Sequence, residues 1–582
     1  MNKVAWILLG ALGTAVVAHP RAADAAPTPR GPNTQLARVI DGLAKRGQIS
    51  AQDAARLRRD ALENGAGPRV HLPTSQDGHL LCLTQAMNAA KSWAQTQDVH
   101  LMSDPPVNVG YVESKTLPLR VYYQEESDKF MAESVLPLAE TAWTKQVTET
   151  GYPAPFTGED NLPVIPGLWI YIADSGMGGG GYTEWLKDVP STPVSDCSSR
   201  VVIDRQNPYE YLEIVTAHEF NHTTQMATDC VEAISAWENF TSAVDSYFVD
   251  DWQLPYMIGI FQRYPEYPID FWSYGDGSDE LAYYQYGAAL FPIFLRERFG
   301  GGDIKLLRDL WYSFAQAGTL TCSPMGCTSD QPNTPNWFEG TDAVLKKNHG
   351  STWDDAFDEF TVWRAITGSH DDGKHFKGGT QYDDVMTAAT HSLAQLPAKG
   401  DLELQEYGSR YVSLTPGSFQ GKLHFKITAD PEATWSSSVL LGRHAQPVER
   451  VQMTFDKATG ELTVPVQGSM EWITLVIAQH SDGTHNPDDM EYYTSRSFSY
   501  LVEGIPDPEP GPEPLPEAGP DANKPGKDGG KVDSGPVAAE AAPSDDGGCG
   551  CEVPGKRADT RLGAFALLGL AALLRRRPVR RP

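Results

Sequence analysis

Residues 200–226 read RVVIDRQNPYEYLEIVTAHEFNHTTQM, a strand-like apolar run followed by a helical segment. The helix is expected to start at Asn207, whose side chain can cap the free N–H groups of the first turn. Pro208 and Glu210 support this start, because proline and acidic residues favour the first helical turn. A strand that leads into a capped helix predicts a domain of mixed sheet and helices.

Within this helix, His218-Glu219-Phe220-Asn221-His222 forms an H-E-x-x-H pattern. The two histidines are one helical turn apart on the same face, so both imidazoles can share one metal ion. Zinc favours such nitrogen ligands and, at catalytic sites, keeps one position open for water. Glu219 stands beside the first histidine, where it can take a proton from that water and pass it to a leaving amine. We therefore predict His218 and His222 as zinc ligands and Glu219 as the general base.

The following helical segment offers the third ligand. Glu238, Ser242 and Asp245 share one face of this helix. The opposite face is apolar and is expected to pack in the core; it carries Trp237, Phe240, Val244 and Phe248. We predict that Glu238 completes the metal site and that Asp245 orients a histidine through its other ring nitrogen. Asp229 and Glu232 are the competing ligands, but their short connection to His222 makes it harder for them to reach the ion.

These residues resemble the gluzincin class of zinc metallopeptidases, in which H-E-x-x-H on one helix is completed by a glutamate on the next. The resemblance covers residues 116–302 and implies hydrolysis of peptide bonds with zinc as the cofactor. Two features depart from many relatives, namely Asn239 in place of a glycine after Glu238 and a short connection between the two helices. The longer metzincin pattern fails, because Gln225 and Thr228 replace its glycine and last histidine.

Three further features could contribute to a site. Tyr286 is the candidate for stabilising the oxyanion, although its neighbours Tyr283 and Tyr284 could equally be core residues. The loop at residues 175–182 contains four consecutive glycines and is either an edge that pairs with an extended substrate or a simple turn. The acidic loops at residues 275–280 and 486–489 could hold calcium outside the cell, but neither has EF-hand spacing, so we expect them to be solvated.

Periodicity divides the folded part of the chain in two. Strands are indicated at residues 116–124 and 168–172. Helical spacing is found at residues 129–148, 230–250, 279–299 and 305–317. Beyond residue 401, helical spacing gives way to short runs in which apolar and polar residues alternate, such as EWITLVI at residues 471–477. We therefore predict an α+β protein with two domains: a gluzincin-like metallopeptidase domain of mixed sheet and active-site helices at residues 111–398, and an all-β sandwich at residues 399–505.

The N-terminal end has the features of an exported chain. Lys3 precedes an apolar run at residues 4–18, and Ala-Asp-Ala-Ala at residues 23–26 resembles a cleavage site. Residues 1–26 are therefore predicted to be a secretory signal peptide, since the run is shorter than the ~20 residues of a membrane span. Residues 27–110 contain a helical hairpin and are either a removable pro-segment or a structural N-terminal region.

Export would place the cysteines in an oxidising compartment, where disulfides can form and persist. Bridges between Cys197 and Cys230 and between Cys322 and Cys327 can form there, although spacing alone does not fix the connectivity. Cys82 lies upstream, where it could be an inhibitory zinc ligand before activation. A free or buried thiol is the simpler expectation for this residue.

The C-terminal end combines a linker and a short apolar segment. Residues 506–548 are rich in Pro, Glu, Asp, Gly and Ala, so they are predicted to be disordered. Residues 549–582 contain Cys-Gly-Cys, a short apolar run and an arginine cluster. In this order they resemble the MYXO-CTERM sorting signal of myxobacterial surface proteins. The resemblance implies membrane contact through this segment alone, and display on the cell surface or release from it.

The formal net charge of −29 argues against nucleic acid or an anionic membrane surface as the main partner, because both would repel the chain. The sequence thus predicts a secreted or surface-displayed zinc peptidase that acts on a protein or peptide. One alternative is a surface binding or adhesion protein with a structural or degenerate zinc site and a ligand-binding β-sandwich. Another is a hydrolase that acts on a bond other than a peptide bond, since the same polarised water can attack other carbonyls. The intact Glu219, and the lack of a nearby C-x-x-C pattern, favour the enzyme.

Overall fold

The computed structural model describes residues 34–45, 48–63, 90–91, 93–94, 96–97, 108–158, 162–175, 180–272, 280–323, 326–466, 469–481, 483, 485–488 and 494–506. Several predictions fall outside these residues: the signal peptide, Cys82, the sorting signal and, apart from Pro506, the linker. Residues 176–179 of the glycine loop and 275–279 of the first acidic loop also lie outside them. All described residues belong to one compact unit, Met1–Glu509.

Both helices and sheets are present, which confirms the predicted α+β class. The described α-helices are α1 Thr34–Lys45, α2 Ala51–Glu63, α3 Lys129–Ala142, α4 Leu212–Met226, α5 Ile234–Phe248, α6 Leu254–Arg263, α7 Tyr284–Gly287, α8 Leu290–Arg298, α9 Lys305–Phe314, α10 Trp337–His349 and α11 Trp353–Ala365. Helix α3 continues into a wider π-helical stretch, Trp143–Thr150. None of the described helices combines the length and apolar character needed to cross a membrane.

The described strands are β1 Gly110–Glu113, β2 Leu119–Tyr123, β3 Phe156–Thr157, β4 Ile165–Pro166, β5 Leu168–Ala173, β6 Gly181–Asp188, β7 Cys197–Asp204, β8 Leu320–Ser323, β9 Gly326–Ser329, β10 Ala389–Ser392, β11 Ala398–Gln405, β12 Ser409–Thr415, β13 Gly421–Ala429, β14 Thr434–Arg443, β15 Glu449–Asp456, β16 Thr459–Val466, β17 Met470–His480 and β18 Ser495–Pro506. A five-stranded sheet has the order β1-β2-β5-β7-β6. Its three inner strands are parallel, and both edge strands run antiparallel to their neighbours.

Helices cover both faces of this five-stranded sheet, because its inner strands are apolar on both sides. Alternate residues of β5 show the division. Ile170 and Ile172 pack with α3 and α4, whereas Tyr171 and Ala173 pack with α1 and α2. The helical hairpin predicted near the N-terminus therefore lies on the sheet. Whether residues 27–110 are later removed stays a prediction.

The start of α4 differs from the prediction. Asn207 does not cap the helix; instead its side chain pairs with the backbone of Gly180, accepting from its N–H at 2.6 Å and donating to its C=O at 2.8 Å. A short 3-10 turn, Tyr209–Tyr211, then leads into α4. The predicted cap is wrong because a residue distant in the chain competes for the same amide. The pairing fixes the end of the glycine loop beside the helix start.

The continuous helix predicted at residues 279–299 is also wrong. A 3-10 turn at Glu280–Tyr283 is followed by the short α7, and α8 starts separately at Leu290. The break coincides with a close approach of α6. A Cβ atom on Gly287 would lie 2.1 Å from the backbone oxygen of Met257, so only glycine fits at this crossing.

Helices α5 to α11 share an aromatic-rich core in which Trp237, Phe240 and Trp311 are buried. Both expected disulfides form, Cys197–Cys230 and Cys322–Cys327. The first of them joins the start of β7 to the connection between α4 and α5. This connection is therefore attached to the sheet between the two helices that carry the predicted metal ligands.

The sandwich expected at residues 399–505 is one nine-stranded sheet, with the order β10-β12-β17-β14-β15-β16-β13-β18-β11. Strand β15 joins the two halves of this sheet: its first part, Glu449–Met453, pairs with β14, and its last part, Thr454–Asp456, pairs with β16. Side chains from both halves fill one apolar core. Outside this core, Val362 of α11 and Ile366, directly after the helix, pack against Tyr411, Leu440 and Val476 of the sheet.

Candidate metal centre

Helix α4 is buried along almost its whole length, so its two histidines lie inside the protein. Only 8% of His218 is exposed, and His222 and Glu238 are fully buried. Helix α5 packs beside α4 and brings Glu238 to the histidines. Because the apolar face of α5 faces the aromatic core, its polar face is turned toward α4.

One carboxylate oxygen lies between the two imidazoles. Glu238 Oε2 is 3.3 Å from His218 Nε2 and 3.5 Å from His222 Nε2. All three candidate ligand atoms lie within 4.8 Å of one another. Ligands about 2.0–2.2 Å from a tetrahedral ion are separated by roughly 3.3–3.5 Å, which matches both measured distances. The sequence-predicted ligands are thus brought together at the spacing that one shared cation requires.

Each histidine is oriented by a partner on its other ring nitrogen. His218 Nδ1 is 2.6 Å from Asp245 Oδ2, and His222 Nδ1 is 2.8 Å from Gln225 Oε1. Both partners accept hydrogen bonds, so Nδ1 carries a proton in each ring and Nε2 is the nitrogen that faces Glu238. A metal-binding histidine needs this orientation, and Nε2 gives up its proton when an ion is bound.

The charges of the site also fit a divalent cation. Burial acts to raise the pKa of Glu238, but the neighbouring His222 and His218 outweigh it and lower the pKa to about 2. The buried carboxylate is therefore ionised. Its second oxygen, Oε1, is buried and accepts no hydrogen bond from the described residues. A buried anion beside two imidazole nitrogens is a donor set that a cation would stabilise.

Glu219 is buried on the neighbouring side of α4. Its Oε2 accepts a 2.8 Å hydrogen bond from the hydroxyl of Thr183 on β6. Burial raises the pKa of Glu219, although His222 and His218 act in the opposite direction. Strand β6 comes close here, because a Cβ atom on Gly181 would lie 2.9 Å from Glu219 Cγ. The glycine thus permits the edge strand to hold the carboxylate in place.

A narrow cavity of about 30 Å³ opens beside these side chains. Its lining includes Gly181, His218, Glu219, Asp245 and Tyr286. A water molecule needs roughly 10–15 Å³, so the cavity can hold one next to Glu219. The ring of Tyr286 lies 6.2 Å from that of His218, whereas Tyr284 belongs to the aromatic core. Tyr286 therefore lines the cavity, and Tyr284 does not.

Three residues of the site were missed by the sequence analysis. Gln225 orients His222, and Thr241 Oγ1 donates a 2.9 Å hydrogen bond to Gln225 Oε1. Thr183 holds Glu219. A signal existed only for Gln225, which lies three residues after His222 and therefore close to it on the helix.

Asp245→Asn is expected to weaken zinc affinity by about 10–100-fold, because removing a carboxylate that orients a metal-binding histidine has this effect. The affinity would be measured by competition with a chromogenic zinc chelator. Asp250→Asn removes the same charge from an exposed position five residues away and serves as the control. Equal affinities for the two variants would contradict the orienting role of Asp245.

Comparisons with known proteins give no family assignment. No family model matches the chain, and no curated protein matches it. Among solved structures, the pre-peptidase C-terminal domain of a collagenase from Bacillus anthracis covers 21% of this chain and all of its own, at 6% identity and a TM-score of 0.16. A periplasmic inhibitor of g-type lysozyme from Aeromonas hydrophila covers 20% of this chain and 98% of its own, at 11% identity and a TM-score of 0.14.

A third solved structure is a GH115-family 4-O-methyl-α-glucuronidase with specificity for decorated arabinogalactans. The match covers 63% of this chain and 48% of that one, at 10% identity and a TM-score of 0.12. At such TM-scores, none of the three similarities bears on the architecture or activity of this protein. The assignment of function therefore depends on the site itself.

Proposed function

We propose that this protein is a zinc-dependent peptidase whose metal is held by His218, His222 and Glu238. The observation that carries the proposal is the position of Glu238 Oε2, 3.3 and 3.5 Å from the two Nε2 atoms. Structural zinc sites usually have four protein ligands, whereas three ligands beside a cavity are typical of catalytic ones. We also propose that the surrounding domain is gluzincin-like and that the chain is exported.

Zinc, when bound, makes a water more acidic and polarises the carbonyl of the substrate. The protein supplies the remaining chemistry. Glu219 receives the proton from the attacking water and delivers it to the leaving amine. Its raised pKa suits a group that must both take up and release this proton. Thr183 keeps the carboxylate oriented toward the cavity.

We propose that Tyr286 acts on the substrate rather than on the metal. The support for this role is that Tyr286 lines the same cavity as Glu219 and is nearly buried. A preorganised donor of this kind stabilises the negative charge that develops on the attacked carbonyl oxygen. Tyr286 therefore has the role of the oxyanion donor in this proposal.

Removing the metal tests the proposal directly. We expect o-phenanthroline to abolish hydrolysis of casein or gelatin by the purified mature protein, because the water then lacks the ion that activates it. Adding zinc after the chelator is removed should restore the activity. The m-isomer of phenanthroline does not chelate and serves as the control. Hydrolysis that continues in protein shown by metal analysis to contain no zinc would contradict the proposal.

A second candidate function is ligand binding by the β-sheet half. This half contains an open cavity of about 540 Å³, within the usual size range of ligand sites. Its lining includes Lys399, Asp401, Lys426 and Tyr500. If the protein is an adhesion or binding protein, the full chain should bind a cell-wall polymer and Lys426→Ala should weaken this binding. An absence of hydrolysis together with such binding would favour this alternative.

A further inference from the structure

The π-helical stretch Trp143–Thr150 contacts α4 in the turn that carries the two histidines. Its Gln146 is fully buried and reaches α4 at two points. The side chain donates a hydrogen bond to the backbone oxygen of Ala217 at 3.1 Å, and its Oε1 accepts one from Asn221 Nδ2 at 2.9 Å. π-Helical turns are rare and are frequently found at functional sites. The contact therefore connects an uncommon element to the candidate metal centre.

Hydrogen bonds continue from Asn221 to His222 by way of α5. Thr241 Oγ1 lies 3.0 Å from Asn221 Oδ1 and 2.9 Å from Gln225 Oε1, so its one proton is shared between two acceptors. Gln225 Oε1 in turn lies 2.8 Å from His222 Nδ1. Each of these side chains, like that of Gln146, is at most 1% exposed. Gln146 is thus connected to His222 by a continuous buried chain of hydrogen bonds.

A backbone carbonyl fixes the direction of this chain at its far end. Gln146 must turn its Nε2 to the backbone oxygen of Ala217, because a carbonyl oxygen can only accept. Its own oxygen therefore faces Asn221, which must donate to it. The oxygen of Asn221 is then directed to the hydroxyl of Thr241. No amide in this part of the chain can turn over without setting two donors or two acceptors against each other.

A second backbone carbonyl fixes the end beside the histidine. Gln225 Nε2 donates to the backbone oxygen of Trp237 at 3.3 Å, so its Oε1 faces the ring of His222. The hydroxyl of Thr241 donates to the same Oε1 and opposes a turn of the amide. The chain therefore holds an acceptor at His222 Nδ1.

This acceptor matters because Glu238 competes for the ring proton. Glu238 Oε2 lies 3.5 Å from His222 Nε2, where a carboxylate favours a proton on Nε2. A ring nitrogen that carries a proton has no lone pair for a metal ion. By holding a proton at Nδ1, Gln225 favours the release of the proton from Nε2. Every residue that fixes Gln225 thus acts on the metal centre without touching it.

We propose that Gln146 is a positioning residue for His222 and acts through Asn221, Thr241 and Gln225. This inference rests on the proposed function, because it requires a metal ion at His222. It extends the metal centre to the π-helical stretch, an element that supplies no ligand. Breaking the chain at its far end should therefore weaken metal binding as breaking it near the histidine does.

Zinc affinity of the full chain would be measured by competition with a chromogenic chelator for Gln146→Met, Thr241→Val and the double variant. Both substitutions nearly keep the size of the side chain and remove its hydrogen bonds. We expect each single variant to bind zinc about tenfold more weakly, the lower end of the loss caused by removing a partner of a metal-binding histidine. The double variant should lose little more, because either break interrupts the same chain. Thr241→Ser keeps the hydroxyl and should bind zinc like the parent.

Cobalt in place of zinc gives a second readout, because its visible absorption depends on the geometry of its ligands. Both single variants should differ from the parent in this spectrum, and Thr241→Ser should match it. Thr216→Val is the matched control on α4. Thr216 is buried, but its Oγ1 has no hydrogen-bond partner among the described residues. Its substitution should change neither the affinity nor the spectrum.

The outcomes separate this inference from the proposed function. A parent that binds no zinc overturns both. A parent that binds zinc no more tightly than a folded Gln146→Met protein overturns the inference alone, as does a double variant in which the two losses multiply. An equal loss in Thr216→Val overturns it too, since any repacking of α4 would then have the same effect. If Gln146→Met does not fold, Asn221→Leu breaks the next link of the chain and takes its place.

Discussion

Glu219→Gln is expected to lower the rate of casein hydrolysis by about 10²–10⁴-fold, the usual contribution of a general base, while zinc content stays unchanged. Glutamine has the shape of glutamate and can still accept a hydrogen bond from Thr183, which lies 2.8 Å from Oε2. It cannot take up a proton from water. The loss should therefore appear in kcat and leave the affinity for zinc unaffected.

Glu213→Gln is the matched control for this variant. Glu213 lies on the same helix, six residues before Glu219, but it is exposed to solvent. The two substitutions change charge equally, so only the position of the carboxylate differs. A Glu219→Gln protein that binds zinc and hydrolyses casein at the parental rate would show that another group is the base. A loss of activity in Glu213→Gln as well would indicate an effect of charge on the whole helix.

Glu238→Ala is expected to lower zinc affinity by more than about 100-fold, because loss of a ligand should exceed the effect of losing a residue that only orients one. The carboxylate is fully buried and ionised, and it lies within 3.5 Å of both histidines. Without it, two neutral imidazoles remain. Metal analysis of the purified protein should then find far less than one zinc per chain, and hydrolysis should fall in parallel.

Glu232→Ala is the matched control, because Glu232 is also a buried acid close to the start of α5. It competes with Glu238 as a third ligand on sequence grounds alone. In the structure its partners are Ala233 and Asn333. Its substitution should leave zinc content unchanged. Full zinc occupancy in Glu238→Ala, or loss of zinc in Glu232→Ala, would show that Glu238 is not the third ligand.

The local chemistry of the metal centre could be predicted because helix pitch fixes it. A spacing of four positions from His218 to His222 places both rings on one face of the helix, whatever the rest of the chain does. The same pitch put Glu238 and Asp245 on one face of α5. Alternating apolar residues likewise predicted the strands of the second half, since a half-buried strand has a period of two.

Contacts between distant residues were not predictable in this way. Asn207 has the properties of a helix cap, yet its side-chain amide forms hydrogen bonds with the backbone of Gly180. Nothing local in the sequence distinguishes Tyr286 from Tyr284, but one lines the cavity and the other packs in the core. Thr183 carries no sequence signal, because its partner Glu219 lies on another element.

The sequence by itself determined the α+β class and the pairing of His218 and His222 on one helix face, because these follow from the periods of helix and strand. Only the tertiary structure decided which acid meets the histidines and which tyrosine reaches the cavity. The reason is physical: helix pitch acts over a few residues, whereas these choices depend on how the apolar faces of α4, α5 and the two sheets pack against each other.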